Sequence, residues 1–245
     1  NPEVRSYAAC GMGVVADTSQ AELLLPLLFP RQGKAGDVIP LSVRICALQS
    51  LGMMKNPAAT PSIKAAISAE PFDNAHPDQQ NFVIQAAAAL GSIGASEGEA
   101  ALLPLLKFPR PIADNALIAL AKILRGNPQR FFQLVASCRS NGQVAGPAWA
   151  QAMAELGGPD AVEELGQMLE HVAENAAAPE WQTLPDILSA LAKIDTPRSQ
   201  EIMSLLLRSH NCAFLKTAVA IYRPRPGTRA PWTPIVDAIT ACNSS

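Results

Sequence analysis

The sequence predicts an all-α chain built as a row of stacked helical hairpins, and three observations predict it. The chain repeats itself: ELLLPLLFPR at 22–31 returns as ALLPLLKFPR at 101–110, while VRSYAACGMG at 4–13, VRICALQSLG at 43–52 and FVIQAAAALG at 82–91 align on Gly13, Gly52 and Gly91. Those glycines are 39 residues apart each time, and Pro26 and Pro104 are two such periods apart. A fixed period of this size marks tandem helical units. Within a unit, small or branched residues recur at i, i+3, i+4 and i+7, as in Val43, Cys46, Ala47, Ser50 and Leu51, which is one buried helical face. Finally, no stretch alternates polar and apolar residues with the period of a strand.

Taken in order, each hairpin has a leading helix, a short turn and a trailing helix. The leading helices are predicted at 4–13, 43–52, 82–91, 114–124, 147–157, 185–195 and 212–222, the spacing shortening after the third. Trailing helices are predicted at 21–29, 60–69, 97–108, 160–172 and 198–209. Gly52, Gly91 and Gly157 follow leading helices and are read as left-handed caps, a conformation open to a residue without a β-carbon. Pro57, Pro128, Pro159 and Pro197 then open the next element, where a missing N–H costs little. Pro26 and Pro104 fall inside apolar runs, and losing an internal hydrogen bond there costs about 3 kcal/mol, so kinks are predicted. Longer Pro/Gly-rich connections at 31–40, 70–79, 107–114, 137–147 and 174–185 recur at one phase and should line one edge.

Composition bounds the rest. Of 245 residues, 49% are hydrophobic but only 5% aromatic, enough for a large core of Ala and Leu. A formal charge of −2 gives no global field for a polyanion. The five cysteines (Cys10, Cys46, Cys138, Cys212, Cys242) form no metal-ligand spacing and are read as buried thiols, with a Cys212–Cys242 pair left open. No apolar run reaches the roughly 20 residues that span a bilayer. Asn1 is neither an initiator Met nor the start of a signal peptide, so the chain is read as an excerpt or processed form, a single repeat domain over 1–245.

The alternation of a VRxxAAxALG-type helix, a short turn and an AxxxLxxLL-type helix resembles HEAT repeats, in the short bacterial form of the phycobilisome lyase-like group. The Val-Arg pair is matched at Val4–Arg5 and Val43–Arg44; the third copy departs with Val83–Ile84, and Trp149 stands in the aligned Arg column of a later one. The resemblance implies a right-handed α-solenoid of about seven hairpins, leading helices on the concave side. It also implies a binding module. The first copy has no trailing helix before it, so the N-terminal end is expected to expose apolar surface that a missing repeat or partner covers, with self-association through cut ends as a further expectation.

Catalytic constellations are not found in the sequence. The Glu170–His171 pair is reversed and unrepeated relative to the His-Glu pairs of HEAT-like di-iron hydroxylases, and Glu163, Glu164 and Asp37 are read as solvated residues. No P-loop, GxSxG or GxGxxG is present. No cofactor or metal is expected. Candidate partner-binding residues are Arg5, Arg44, Trp149 and Trp181. Arg5 and Arg44 either meet a partner's carboxylates and carbonyls or tie neighbouring repeats together. Trp149 is a binding anchor or core; Trp181 sits in a long loop and is the better anchor. His76 is read as a solvated turn residue. The expected function is a non-catalytic scaffold that binds a protein or peptide through its concave face or loop edge. Two alternatives stand beside it: a substrate-presenting accessory region of a larger enzyme, bilin-lyase-like or isomerase-associated, and, more weakly, a nucleic-acid binder. The basic, proline-rich run at 222–231 is read as an extended connection kept soluble by its arginines, or as a segment suited to an acidic partner.

Overall fold

The computed structural model describes residues 2–15, 17–32, 37–70, 77–140, 146–174 and 182–206. The expectations placed on His76, Trp181, Cys212, Cys242, the helix at 212–222 and the basic run at 222–231 lie outside these residues. The chain forms two compact units, Asn1–Ala148 and Trp149–Ser245.

In the first unit, α1 (Pro2–Val15) leads into a trailing segment made of a 3-10 turn (Thr18–Gln20), α2 (Ala21–Leu24) and a second 3-10 stretch (Leu25–Leu28). The connection that follows carries two short strands, β1 (Arg31–Gln32) and β2 (Asp37–Val38), paired antiparallel. The next hairpin is α3 (Leu41–Met54) and α4 (Thr60–Ala69), the latter entered through a 3-10 turn at Pro57–Ala59. Then α5 (Pro77–Ile93) is followed by a 3-10 turn (Ser96–Gly98), α6 (Glu99–Leu102) and a 3-10 stretch (Leu103–Lys107). The last hairpin of this unit is α7 (Ile112–Ile123) with α8 (Pro128–Ser140), so 137–140 belong to a helix rather than to the predicted connection. In the second unit, α9 (Gly146–Leu156), which begins just ahead of the division, pairs with α10 (Gly158–Glu174), and α11 (Leu184–Ile194) with α12 (Pro197–Leu206).

Packing in the first unit runs in sequence. Each leading helix lies mainly on the next one, α1 on α3, α3 on α5 and α5 on α7. Trailing segments fill the other side of the row, closing over a core that includes Leu28, Leu48, Leu51, Ile63, Phe82 and Leu90, all at most 1% exposed. Fully burying one such side chain contributes about 1.5–3 kcal/mol, which a lone two-helix hairpin of this length could not gather by itself.

The repeat glycines have a different role from the predicted one. Gly13, Gly52 and Gly91 lie inside their helices, and a β-carbon on each would meet the following leading helix. It would sit 2.6 Å from the Ser50 Cα at Gly13, 3.1 Å from the Ala89 Cα at Gly52 and 2.7 Å from the Ala119 Cα at Gly91. They are the points of closest approach between successive leading helices. The left-handed caps fall instead on Lys55 after α3, Gly94 after α5, Gly157 after α9 as predicted, and Asp195 after α11. Pro26 and Pro104 do interrupt α-helix at one phase of the repeat: in both places a four-residue α segment tightens to 3-10 with the proline as its second residue. At the second position of a 3-10 segment the proline falls in a first turn, whose N–H groups have no partner within that segment, so its missing donor costs little there.

The trailing elements entered at Pro57, Pro128 and Pro197 start where the prolines place them, and most trailing elements carry a side-chain cap. Asp17 accepts from the Ser19 N–H at 3.0 Å, Asn56 from Ala58 at 3.0 Å and Asn127 from Arg130 at 3.2 Å. Before α12, Thr196 and Ser199 cap each other reciprocally.

Candidate partner-binding groove

Away from the trailing segments, α3 and α5 each carry a stripe at helical spacing: exposed Ser42, Gln49 and Met53 on α3, and on α5 exposed Asn81 with half-buried Gln85, Ala88 and Ser92. Between these stripes lies a groove of about 480 Å³. Gly52 and Ala89, the small residues at the helix crossing, line its floor, while Met53 and Ala88 contribute to a mostly apolar surface. Small residues at the crossing and longer ones beside it are what make a trough between two ridges. Lys55, fixed in a left-handed cap just after α3, supplies the one cationic side chain of the lining. Across the groove Gln49 Nε2 donates to Gln85 Oε1 at 3.2 Å.

One repeat earlier the same cross-helix position is occupied by a covalent bond. Cys10 of α1 and Cys46 of α3 form a disulfide, and they stand one period before Gln49 and Gln85. The sequence reading of these two as buried thiols is therefore corrected: each is half-buried on the exposed side of its helix, where their neighbouring α-carbons come within 4.6 Å. Ser50 adds a second tie between the same helices, donating to the Ala9 carbonyl at 2.6 Å while accepting from the Gly13 N–H at 3.1 Å.

The structure separates the residues proposed from sequence. Arg44 is 5% exposed. Its Nε donates to the Leu28 carbonyl at 3.0 Å, its other nitrogens pair with Glu70, and its Cζ sits 4.0 Å over the Phe82 ring. Of the two readings of Arg44, this geometry is the inter-repeat tie, since it joins the trailing segments of two hairpins to the next leading helix. Arg5, one period earlier, is exposed. The position one period before Glu70 is Arg31 and that before Phe82 is Val43, so the acid and the ring that hold Arg44 have no counterparts there. Trp149 is buried, with its indole N–H donating to Glu164 Oε1 at 3.2 Å. Trp181 lies outside the described residues.

Other ion pairs, not anticipated from sequence, link successive trailing helices. Arg130 donates to both carboxylate oxygens of Glu99, at 3.1 and 2.7 Å. In the second unit Arg198 holds Glu163 in the same way, at 2.7 and 3.3 Å, and reaches Glu201 at 2.9 Å. The hydrogen bond from Arg198 keeps the Glu163 carboxyl below its ordinary range. Glu163, read from sequence as merely solvated, thus belongs to a tie. The missed signal was an Arg in the first turn of one trailing helix and a Glu in the first two turns of the one before.

Among the described residues no group of three or more His, Cys, Asp or Glu side chains could hold a metal ion. No described helix is long and apolar enough to cross a membrane. No family model matches the sequence, and a search of curated proteins returned no match.

Proposed function

We propose that this chain is a HEAT-type, non-catalytic scaffold that holds an extended or helical peptide segment of a partner protein in the groove between α3 and α5. The observation that supports this most is the groove itself: an open trough with Met53 and Ala88 on its walls, amides from Gln49 and Gln85 along it and Lys55 in its lining. An apolar partner side chain fits beside Met53 and Ala88, a polarizable thioether being well suited to irregular apolar surfaces. The two glutamines can exchange hydrogen bonds with a peptide backbone, and Lys55 suits a partner carboxylate. Binding of this kind rests on a few anchors in a trough rather than on area alone. Within the same reading, the row of hairpins is right-handed and the groove lies on its concave side, as in HEAT arrays.

The test is a pair of groove substitutions in the full chain, Met53→Asp and Ala88→Arg, set against a partner recovered with the unaltered protein. Each is expected to weaken that partner at least about tenfold, the equivalent of 1.4 kcal/mol, while leaving the melting temperature within a few degrees, because Met53 is exposed and Ala88 only half-buried. Unchanged affinity in both variants excludes the groove as the binding site.

A further inference from the structure

We infer that the outward face of α1 is a docking face for one more helical hairpin of this same repeat type, stacked ahead of α1 as α1 is stacked ahead of α3. This inference stands apart from the groove reading, since it concerns a different face of the row.

A comparison of equivalent positions carries it. On α3 the residues that meet α1 are those around Cys46 and Ser50, which touch Cys10 and Gly13. The stripe that contains them is Val43, Cys46, Ala47, Ser50 and Met54. Apart from half-buried Cys46, these residues are at most 5% exposed. One period later α5 presents Phe82, Gln85, Ala86, Ala89 and Ile93 toward α3, with Phe82, Ala86, Ala89 and Ile93 buried. One period earlier the same positions on α1 are Val4, Tyr7, Ala8, Gly11 and Val15. All five are exposed, Val4 at 63%, Tyr7 at 79% and Val15 at 75%. An apolar stripe in the register of an interface that recurs three times in this unit is open on α1.

The register also states the chemistry of the occupant. At each existing interface a glycine of the earlier helix lies against a small residue of the later one: Gly13 on Ser50, Gly52 on Ala89, Gly91 on Ala119. On α1 the small-residue position is Gly11, where an added β-carbon meets nothing within 4 Å. The face therefore fits a helix that brings its own glycine to Gly11, flanked by small apolar residues. A leading helix of this repeat is such a helix, and tandem supply is how every other interface in the row is filled. Arg5 agrees with this placement. Its equivalent, Arg44, donates to a carbonyl in the trailing segment of the hairpin before it, which is the element that a hairpin ahead of α1 would bring.

The experiment adds that hairpin. Residues 41–79, one full period containing α3 and α4, are duplicated immediately before Pro2 of the full chain, which keeps the spacing of the existing repeat. Amide hydrogen exchange of residues 4–15 is then measured with and without Gly11→Leu. The duplication is expected to slow exchange in α1 by at least about tenfold and to raise the melting temperature by a few degrees, as an added nearest-neighbour interface does in a repeat array. Gly11→Leu is expected to leave the unextended chain unchanged, because the position is open, and to abolish both gains in the extended one. Val4→Glu, altering the same face by charge rather than size, is expected to do the same. Unchanged exchange of α1 in the extended chain overturns the inference, and so does a gain that survives both substitutions. A concentration-dependent dimer of the unextended chain that Gly11→Leu dissolves overturns the tandem occupant in favour of a second copy.

Discussion

Arg44 shows how a single residue can look like a binding group and be a structural one. Its guanidinium spends its donors on the Leu28 carbonyl and on Glu70, and its flat face on Phe82. Arg and Glu side chains in this pair are only 6% and 8% exposed. Charges so withdrawn from water are costly to separate: removing one partner of a buried pair typically costs about 3–5 kcal/mol, because the other is left uncompensated. Arg44→Met is therefore expected to destabilise the protein by roughly that amount in urea unfolding. Arg44→Met combined with Glu70→Leu is expected to be less destabilised than Arg44→Met alone, since no lone carboxylate remains. Equal losses in the single and double variants would show that the guanidinium acts by packing on Phe82 and not by pairing. Lysine is a poor substitute here, because it offers neither the planar face nor the forked donors.

At the scale of helices, the disulfide between α1 and α3 closes a stretch with a sequence separation of 36. In the chain-entropy picture a loop of that length is worth about 4 kcal/mol against the unfolded state. Reduction of the full chain is thus expected to speed amide exchange in α1 and to leave α5 and α7 untouched, with Cys46→Ser reproducing the effect and becoming insensitive to reductant. If reductant leaves exchange in α1 unchanged, the bond does not hold that helix in place. Much at this scale was legible beforehand. The 39-residue period and the i, i+3, i+4 pattern place the leading helices within a few residues, and Asn-Pro or Thr-Pro steps place the starts of α8, α12 and the turn into α4. What was not legible depends on how neighbouring helices are rotated against each other. A glycine at the end of a motif reads locally as a cap, and only the packed neighbour shows that Gly52 is instead a crossing point beneath Ala89. Cys10 and Cys46 likewise carry no local mark of pairing. Their bond requires knowing that α1 and α3 align with position 10 opposite position 46. The groove could not be read at all from one helix, since its walls are a ridge from α3 and a ridge from α5.

At the largest scale, the first unit holds itself together through neighbours in sequence, so its stability is a chain of interfaces rather than one centre. In the first unit the leading helices meet mainly in the order α1, α3, α5, α7. For such a row, stability approximates a sum of hairpin terms and nearest-neighbour interface terms, and damage stays local. Gly91 is the place to test this, because it lies at the last of the three leading-helix interfaces, with the Ala119 Cα only 2.7 Å from where a β-carbon would stand. Backbone must move to admit any side chain there, and overpacking of this kind costs about 1–3 kcal/mol. Gly91→Val is expected to speed amide exchange on both sides of that contact, in α5 and α7, while α1 and α3, tied by Ser50 and the disulfide, keep their protection. Gly13→Val should do the converse, loosening α1 against α3 and sparing α7. A unit with one shared centre would respond differently: either substitution would lower protection in all four helices together. Simultaneous loss across α1, α3, α5 and α7 in both variants would therefore rule out the row as the source of cohesion, and with it the expectation that a further hairpin can be added at one end without disturbing the other.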